Sequence, residues 1–429
     1  MRDKDKLITA MLSIARILFG ITFLFSGFVK AVDPIGFAYK IEDYLISFQL
    51  LWLLPFALAF AIGLIVLELM LGVFVLLGNY RKLSTSLSVM FMAVMMPMTL
   101  YIALKNPVED CGCFGDALVI SNWATFYKNV VLIVLALILL IFHKKIKPLF
   151  SYHTQGYVLG FVFAFSLLFS LYNTFYLPIM DFRPYKVGVN IPKQMEEDLS
   201  KGDLYETIYV FEKEGVEQEF SEDSAPWEDS TWNYVDHTLK LVKEGEQPQI
   251  EDFFMIAYTK DASGNLAAGE DITDKLLAKP FTLLAVSLSL NDARKEGMEQ
   301  LISLASHVAD KNIELNIATS SDAHSIEQWH AEWKSPDVNY VQMDELTLKT
   351  IVRSNPGLLL LNNGTIAGKW GSRNLPSKDK LSQLIVQRET KEERMINNKS
   401  SLNLLVICAL FVIPLLGIKW YDNKWIVNK

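Results

Sequence analysis

Six stretches of the chain stay apolar for about 20 residues, the length that crosses a bilayer as a helix. They are residues 7–32, 55–78, 83–104, 123–142, 156–177 and 402–418. A polar stretch of about 220 residues separates the last two. The first run is too long for a signal peptide, contains Arg16 and lacks a small-residue cleavage site, so it reads as a retained anchor. Along it, Arg16, Gly20, Phe23, Gly27 and Lys30 recur at helical spacing and form one stripe. Two glycines on that stripe let a neighbouring helix approach closely. Residues 33–48 mix apolar and charged positions, which predicts an interfacial helix on the outer surface.

The polar stretch changes period. Residues 206–220 read as two strands around a turn at Gly215, and residues 232–242 as another alternating strand. Residues 179–250 thus form a small β-rich lead-in. Then strands and helices alternate. A buried strand at 281–290 precedes an amphipathic helix at 292–310, a strand at 313–320 and a helix at 323–333. A short strand at 338–341 and a helix at 345–353 follow. Residues 355–370 make two strands joined around Asn363–Gly364, and a helix from Pro376 closes the series. That order predicts an α/β layer domain over 251–398. The whole reads as a six-helix α-helical membrane bundle carrying an α/β domain. Its parts are a four-helix unit at 1–150, a fifth span at 151–178, the two polar units, and a sixth span with tail at 399–429.

Lys and Arg set an orientation. With the N-terminus inside, the inner segments hold Arg2, Lys4, Lys6, Arg81, Lys82, Lys144, Lys145, Lys147, Lys419, Lys424 and Lys429. The short outer loops hold only Lys30, Lys40, Lys105 and Lys128. Both termini are therefore expected in the cytoplasm and the polar domain outside, in the periplasm of a bacterial inner membrane. The net charge of −8 hides a split: residues 179–398 hold 38 acidic and 23 basic residues. Such an acidic outer domain argues against nucleic acid as a partner. Membrane lipid and an extracytoplasmic protein client fit better.

Candidate chemistry sits in the membrane half. Arg16 lies ~14 Å and Glu68 ~16 Å from the same membrane face at 1.5 Å per residue. Charges at matching depth are expected to pair, either as a proton- or quinone-linked site or as a lock between two helices. Five methionines at 90–98 scatter around their helix and read as flexible packing. Two of the three cysteines, Cys111 and Cys113, flank one glycine in "EDCGCFGD". Zinc or an iron–sulfur cluster wants four ligands, and this loop has no histidine, so no metal is assigned. An outward-facing pair is compatible with a strained, reducible disulfide or with a static clip. Glu109, Asp110 and Asp116 are expected to raise the thiol pKa values. His324 and His330, six residues apart on one helix, read as ordinary surface and core residues.

Two resemblances attach here. "RILFGITFLFSGFVKAVDP" (16–34) resembles the opening helix of DoxX-type membrane proteins, and "CGCFG" resembles the signature of the related methylamine-utilisation protein MauE, over about residues 7–142. That resemblance implies a redox-linked role, in maturing disulfide-rich partners or in quinone and thiol chemistry. "NPGLLLLNNGTIAGKW" resembles the cis-proline strand and hairpin of TlpA-type thioredoxin-like domains, over about residues 250–390, with Pro356 at the proline position. The departure is plain: where the family carries C-x-x-C, residues 287–297 read "SLSLNDARKEG", and 179–398 contains no cysteine. Without a thiolate this domain performs no thiol–disulfide exchange. Two functions stay open. One is a thiol–disulfide relay through Cys111 and Cys113, with quinone as the cofactor class and Arg16–Glu68 beside it. The other is a non-enzymatic assembly protein whose cysteines brace a loop.

Overall fold

The structure is a computed structural model. It describes residues 2–108, 110–196, 204–227, 229–243, 248–260, 266–333, 338–389 and 398–427. The membrane half contains α1 (Arg2–Val32), α2 (Pro34–Ser47), α3 (Ala57–Leu77), α4 (Arg81–Lys105), α5 (Asn122–Ile141) and α6 (Tyr152–Phe175). All but α2 contain or end a segment long and apolar enough to cross a membrane, and a C-terminal helix supplies the sixth. This is a multi-pass membrane protein.

The glycine stripe faces α3. A Cβ on Gly72 would stand 2.7 Å from the Leu24 backbone nitrogen, and one on Gly27 3.0 Å from that of Leu69. Only glycine allows the two antiparallel backbones to come so close. Phe19, Phe23, Leu71, Val75, Met92 and Leu132 pack the bundle interior. Leu18, Ile21, Val131 and Leu168 stay exposed on its outside, where lipid replaces water as solvent. The fifth span is not a detached tether. Asn173 of α6 donates to the Ala31 carbonyl of α1 at 3.1 Å, and Val158 and Val162 pack with Phe74 of α3.

Beyond a short α7 (Ile191–Met195), the lead-in is an antiparallel sheet of β1 (Leu204–Lys213), β2 (Val216–Ser221) and β3 (Asn233–Lys243), ordered β2-β1-β3. The outer domain follows with β4 (Ile256–Lys260), β5 (Leu266–Asp271), α8 (Thr273–Leu277), β6 (Thr282–Ser287), α9 (Lys295–Val308) and β7 (Leu315–Thr319). It continues with α10 (Ala323–Trp333), β8 (Val338–Gln342), α11 (Glu345–Ile351), β9 (Gly357–Asn362), β10 (Thr365–Gly371) and α12 (Lys378–Glu389). The chain then forms α13 (Asn398–Val427), whose Phe411 ring lies 5.0 Å from that of Phe165 in α6.

The main sheet is open and runs β10-β9-β6-β7-β8-β4-β5. β6, β7 and β8 are parallel; β9 runs antiparallel to β6, and β10 antiparallel to β9. Every residue of β6 and β7 is buried, because helices cover both faces, and this explains the unbroken apolar run. One core holds Leu283, Met298, Leu301, Ile317 and Leu360 under α9, α10 and α12; the other holds Phe253, Leu284, Val341 and Leu359 under α8 and α11. With the Asn355–Pro356 bond cis ahead of β9, this is a thioredoxin-like arrangement. The β4–β5 hairpin is an addition that the sequence reading did not anticipate. Its strands are short, and its loop at 261–265 lies outside the described residues.

Charged side chains fasten the outer domain to the bundle. Arg353, just ahead of the cis bond, donates to Asp33 at 2.9 Å and reaches Asp116 at 3.4 Å. Asp33 also caps α2, accepting from Gly36 N at 2.9 Å. The Tyr39 ring lies under Lys349 and Arg353. At the exit from α6, Asp181 accepts from both Arg183 and Lys369, each almost fully buried.

Candidate functional site

The cysteine loop begins where α4 ends at Asn106, in the left-handed conformation. Gly112 sits at φ +65°, which turns the chain so that Cys111 and Cys113 point the same way. Their sulfurs lie 2.7 Å apart, and both residues are buried. The loop backbone is held from the membrane side. Tyr44 of α2 donates to the Cys111 carbonyl at 2.6 Å, and Ser26 of α1 donates to the Cys113 carbonyl at 2.7 Å. Asp110 accepts from Gly112 N at 2.6 Å and pairs with Lys40 at 2.8 Å.

Glu68 does not pair with Arg16. Its carboxylate receives the Lys30 ammonium at 2.8 and 3.0 Å, and Ser26 Oγ stands 3.1 Å from Oε1. Arg16 donates instead to the carbonyls of Val75 and Leu76, at 3.1 and 2.6 Å. The cause is the antiparallel register of α1 and α3. Val75 lies seven residues beyond Glu68, so Arg16 and Glu68 are ~10 Å apart along the axis at 1.5 Å per residue. Counting depth from the ends of the two apolar runs put the two residues at one level, and the α1–α3 register does not. Lys30 was in view as a stripe member, but its role as the partner was missed; it falls on the α1 face that carries Arg16, two turns past Phe23.

A pocket of about 260 Å³ opens in front of the loop. Cys111, Cys113, Lys30 and Glu68 form its polar end, and its walls are apolar, among them Phe60 and Met95. Thus Met95 and Met98 do line a cavity, while Met92 is packed in the core. Two adjacent sulfurs and a buried ion pair thus share one end of an otherwise apolar cleft.

The loop's acids do not suppress the thiols as expected. Asp110 is engaged by Lys40 and Asp116 by Arg353; Glu109 lies outside the described residues. The hydrogen bond from Cys111 holds the Cys113 thiol down, to about 6, against burial, and Lys128 and Lys30 pull in the same direction. The Cys111 thiol moves up, because it gives that hydrogen bond and is itself buried. Of the two thiols, Cys113 is therefore the one more readily ionised.

The outer domain is closed around Asn355, between the end of β6 and the start of α9. Asn355 Oδ1 accepts from Ser287 Oγ at 2.7 Å, its Nδ2 donates to Ser289 O at 2.8 Å, and its carbonyl accepts from Arg294 N at 3.1 Å. Pro356 packs against Gly297, where a Cβ would come within 3.2 Å of the proline ring. Pro356 thus sits in a closed polar knot with no thiol beside it. His324 meets Gln328, and His330 meets the Tyr340 hydroxyl at 3.2 Å. Among the described residues no group of three His, Cys, Asp or Glu side chains gathers as a metal site. Arg353 was missed in the sequence, where nothing distinguishes it from other surface arginines.

Known proteins place these parts. The family model described as "Methylamine utilisation protein MauE" matches residues 8–142, and a domain of unknown function (DUF8463) matches residues 205–244, the three-stranded lead-in sheet. No curated protein matches the chain. Among solved structures, the solution structure of a thioredoxin candidate from Neisseria meningitidis is 16% identical, covering 32% of this chain and 90% of that one, with a TM-score of 0.25. A thiol peroxidase from Chromobacterium violaceum is 13% identical, covering 33% and 85%, also at 0.25. At that identity and score neither relation bears on function, and the strand order carries the fold assignment. Residues 8–142, from α1 through α5 with the Cys111–Gly112–Cys113 loop between α4 and α5, are a MauE-family domain.

Proposed function

We propose that the membrane half is a thiol–disulfide relay facing the periplasm, with Cys111 and Cys113 as its redox pair and a lipid-soluble quinone as its electron acceptor. The observation that carries this reading is the shared pocket: both sulfurs and the buried Lys30–Glu68 pair line one apolar cavity within the bundle. In the forward step the two thiols lose two electrons and two protons and form one S–S bond; the quinone takes both and leaves as quinol. In the return step a client thiolate attacks one sulfur of that bond and forms a mixed disulfide. The client's second thiol then releases the reduced pair. Lys30 and Glu68 hold charge next to the sulfurs without needing water, and Ser26 bridges Glu68 to the loop. The excess of Lys and Arg on the opposite side supports the outward orientation.

The competing reading is a braced loop, favoured by the way Tyr44, Ser26 and Lys40 pin the backbone. Thiol trapping in intact membranes separates the two. Under the relay reading, alkylation of Cys111 and Cys113 shifts with the redox state of the quinone pool, and a Cys111→Ser, Cys113→Ser variant loses function while still inserting. A trapping pattern indifferent to quinone, with full function in the double variant, establishes the brace.

A further inference from the structure

The main sheet is forked near its far edge. β4 and β8 are antiparallel but pair only at Ile256–Gln342 and Ala257–Val341. Continued, that register would join Tyr258 to Tyr340, Thr259 to Asn339 and Lys260 to Val338. It does not continue. A register irregularity between Ile256 and Tyr258 on the β5 side turns the hairpin away, and a cavity of about 680 Å³ fills the gap. Its walls are the two diverging strands, its roof is α10 and its floor is α8. A second observation lies in the cavity wall: Asn316, 1% exposed, is a lining residue, and its buried Nδ2 has no hydrogen-bond partner. A buried amide left unpaired is costly and asks for an acceptor.

We propose that this fork binds an extended peptide segment, which enters as an inserted strand between β4 and β8. The occupant follows from the lining. Beyond Ala257 and Val341 the two strand edges no longer pair with each other, and each presents backbone N–H and C=O groups that an extended backbone can meet. Asn316 supplies one further donor for a carbonyl or polar side chain. Lys275 and Glu270 at the rim offer both charges to flanking side chains. The size suits a few residues, within the ~300–1,000 Å³ of ordinary ligand sites. Position agrees as well: the cis-proline side of the domain is sealed and docked through Arg353, whereas the fork lies at the opposite side of the sheet. The fork's binding does not depend on the redox chemistry of the cysteine loop, so either reading can fail without the other.

The test uses the full-length protein in nanodiscs and reduced, carboxymethylated α-lactalbumin as a permanently unfolded probe. Hydrogen exchange is read with and without probe, and affinity by fluorescence anisotropy. Binding is expected to slow exchange at residues 258–260 and 338–340. Asn316→Leu is expected to weaken it about tenfold, the worth of one buried hydrogen bond. A Thr259→Cys, Asn339→Cys variant, oxidised to close the fork, is expected to lose binding and to regain it on reduction. Protection elsewhere but not at these strands overturns the proposal, as does unchanged affinity in both variants. So does a failure to bind the probe at all.

Discussion

The Lys30 ammonium meets the Glu68 carboxylate at 2.8 Å with their side chains only 4% and 7% exposed. Removing one partner leaves the other charge buried and unpaired, which costs about 3–5 kcal/mol. Lys30→Met and Glu68→Gln should each lower the thermal midpoint strongly. The double variant Lys30→Leu, Glu68→Leu should recover most of that loss, because an apolar pair of similar volume is tolerated. Its quinone-dependent oxidation of the cysteine pair should stay low. Recovery of both stability and oxidation would reduce the pair to a helix lock.

Cys113 ionises below the ordinary thiol range, at about 6, held there by the hydrogen bond from Cys111 against burial and aided by Lys128 and Lys30. The thiolate reacts and the thiol does not. Alkylation of Cys113 by iodoacetamide should therefore rise with pH through about 6 and level off above it. Below that value it should fall about tenfold per unit, as the ionised fraction does. Cys111, shifted upward, should react far more slowly at neutral pH. Mass spectrometry of the tryptic peptide distinguishes the two; equal rates with a midpoint near 9 would contradict this assignment.

Arg353 joins two parts of the chain that are far apart in sequence, and its side chain is 7% exposed against Asp33. Arg353→Ala should cost about 1–3 kcal/mol, since Asp33, 18% exposed, loses its charged partner and keeps only Gly36 N. Hydrogen exchange should speed up on both sides of the contact, at residues 349–356 and 110–117, with the outer-domain core unchanged. Faster exchange throughout the outer domain would show that Arg353 supports its fold rather than its docking.

Gly112 occupies the left-handed region, and a Cβ there would stand 3.0 Å from Lys40 Cγ, on a side chain already tied to Asp110. Gly112→Ala should cost about 1–2 kcal/mol from the backbone alone. It should also slow closure of the Cys111–Cys113 bond, read by stopped-flow after a quinone pulse, relative to a Gly115→Ala control.

Much of this was legible in the sequence. The spans follow from apolar runs, and the thioredoxin-like order follows from strands and helices with distinct periods. The glycine stripe correctly pointed at a close helix neighbour. Pairing was not legible: an i, i+4 stripe fixes which face of α1 turns inward but says nothing about the register of α3, so Glu68 was given to Arg16 instead of Lys30. The electrostatics of the loop failed for a similar reason. Asp110 and Asp116 look like acids beside thiols until the fold brings Lys40 and Arg353 to them. The forked hairpin escaped notice because β4 and β5 are short, half-exposed strands whose place is set by the sheet they join.

The most direct measurement is stoichiometric. The protein is reduced, freed of reductant, held in nanodiscs without oxygen, and mixed with a short-chain ubiquinone analogue. The quinone absorbance and the alkylation state of the Cys111–Cys113 peptide are followed together. The relay account predicts one quinol formed and one Cys111–Cys113 disulfide gained per chain, with neither in the Cys111→Ser, Cys113→Ser variant. Both thiols remaining alkylatable while the quinone spectrum stays unchanged would contradict it.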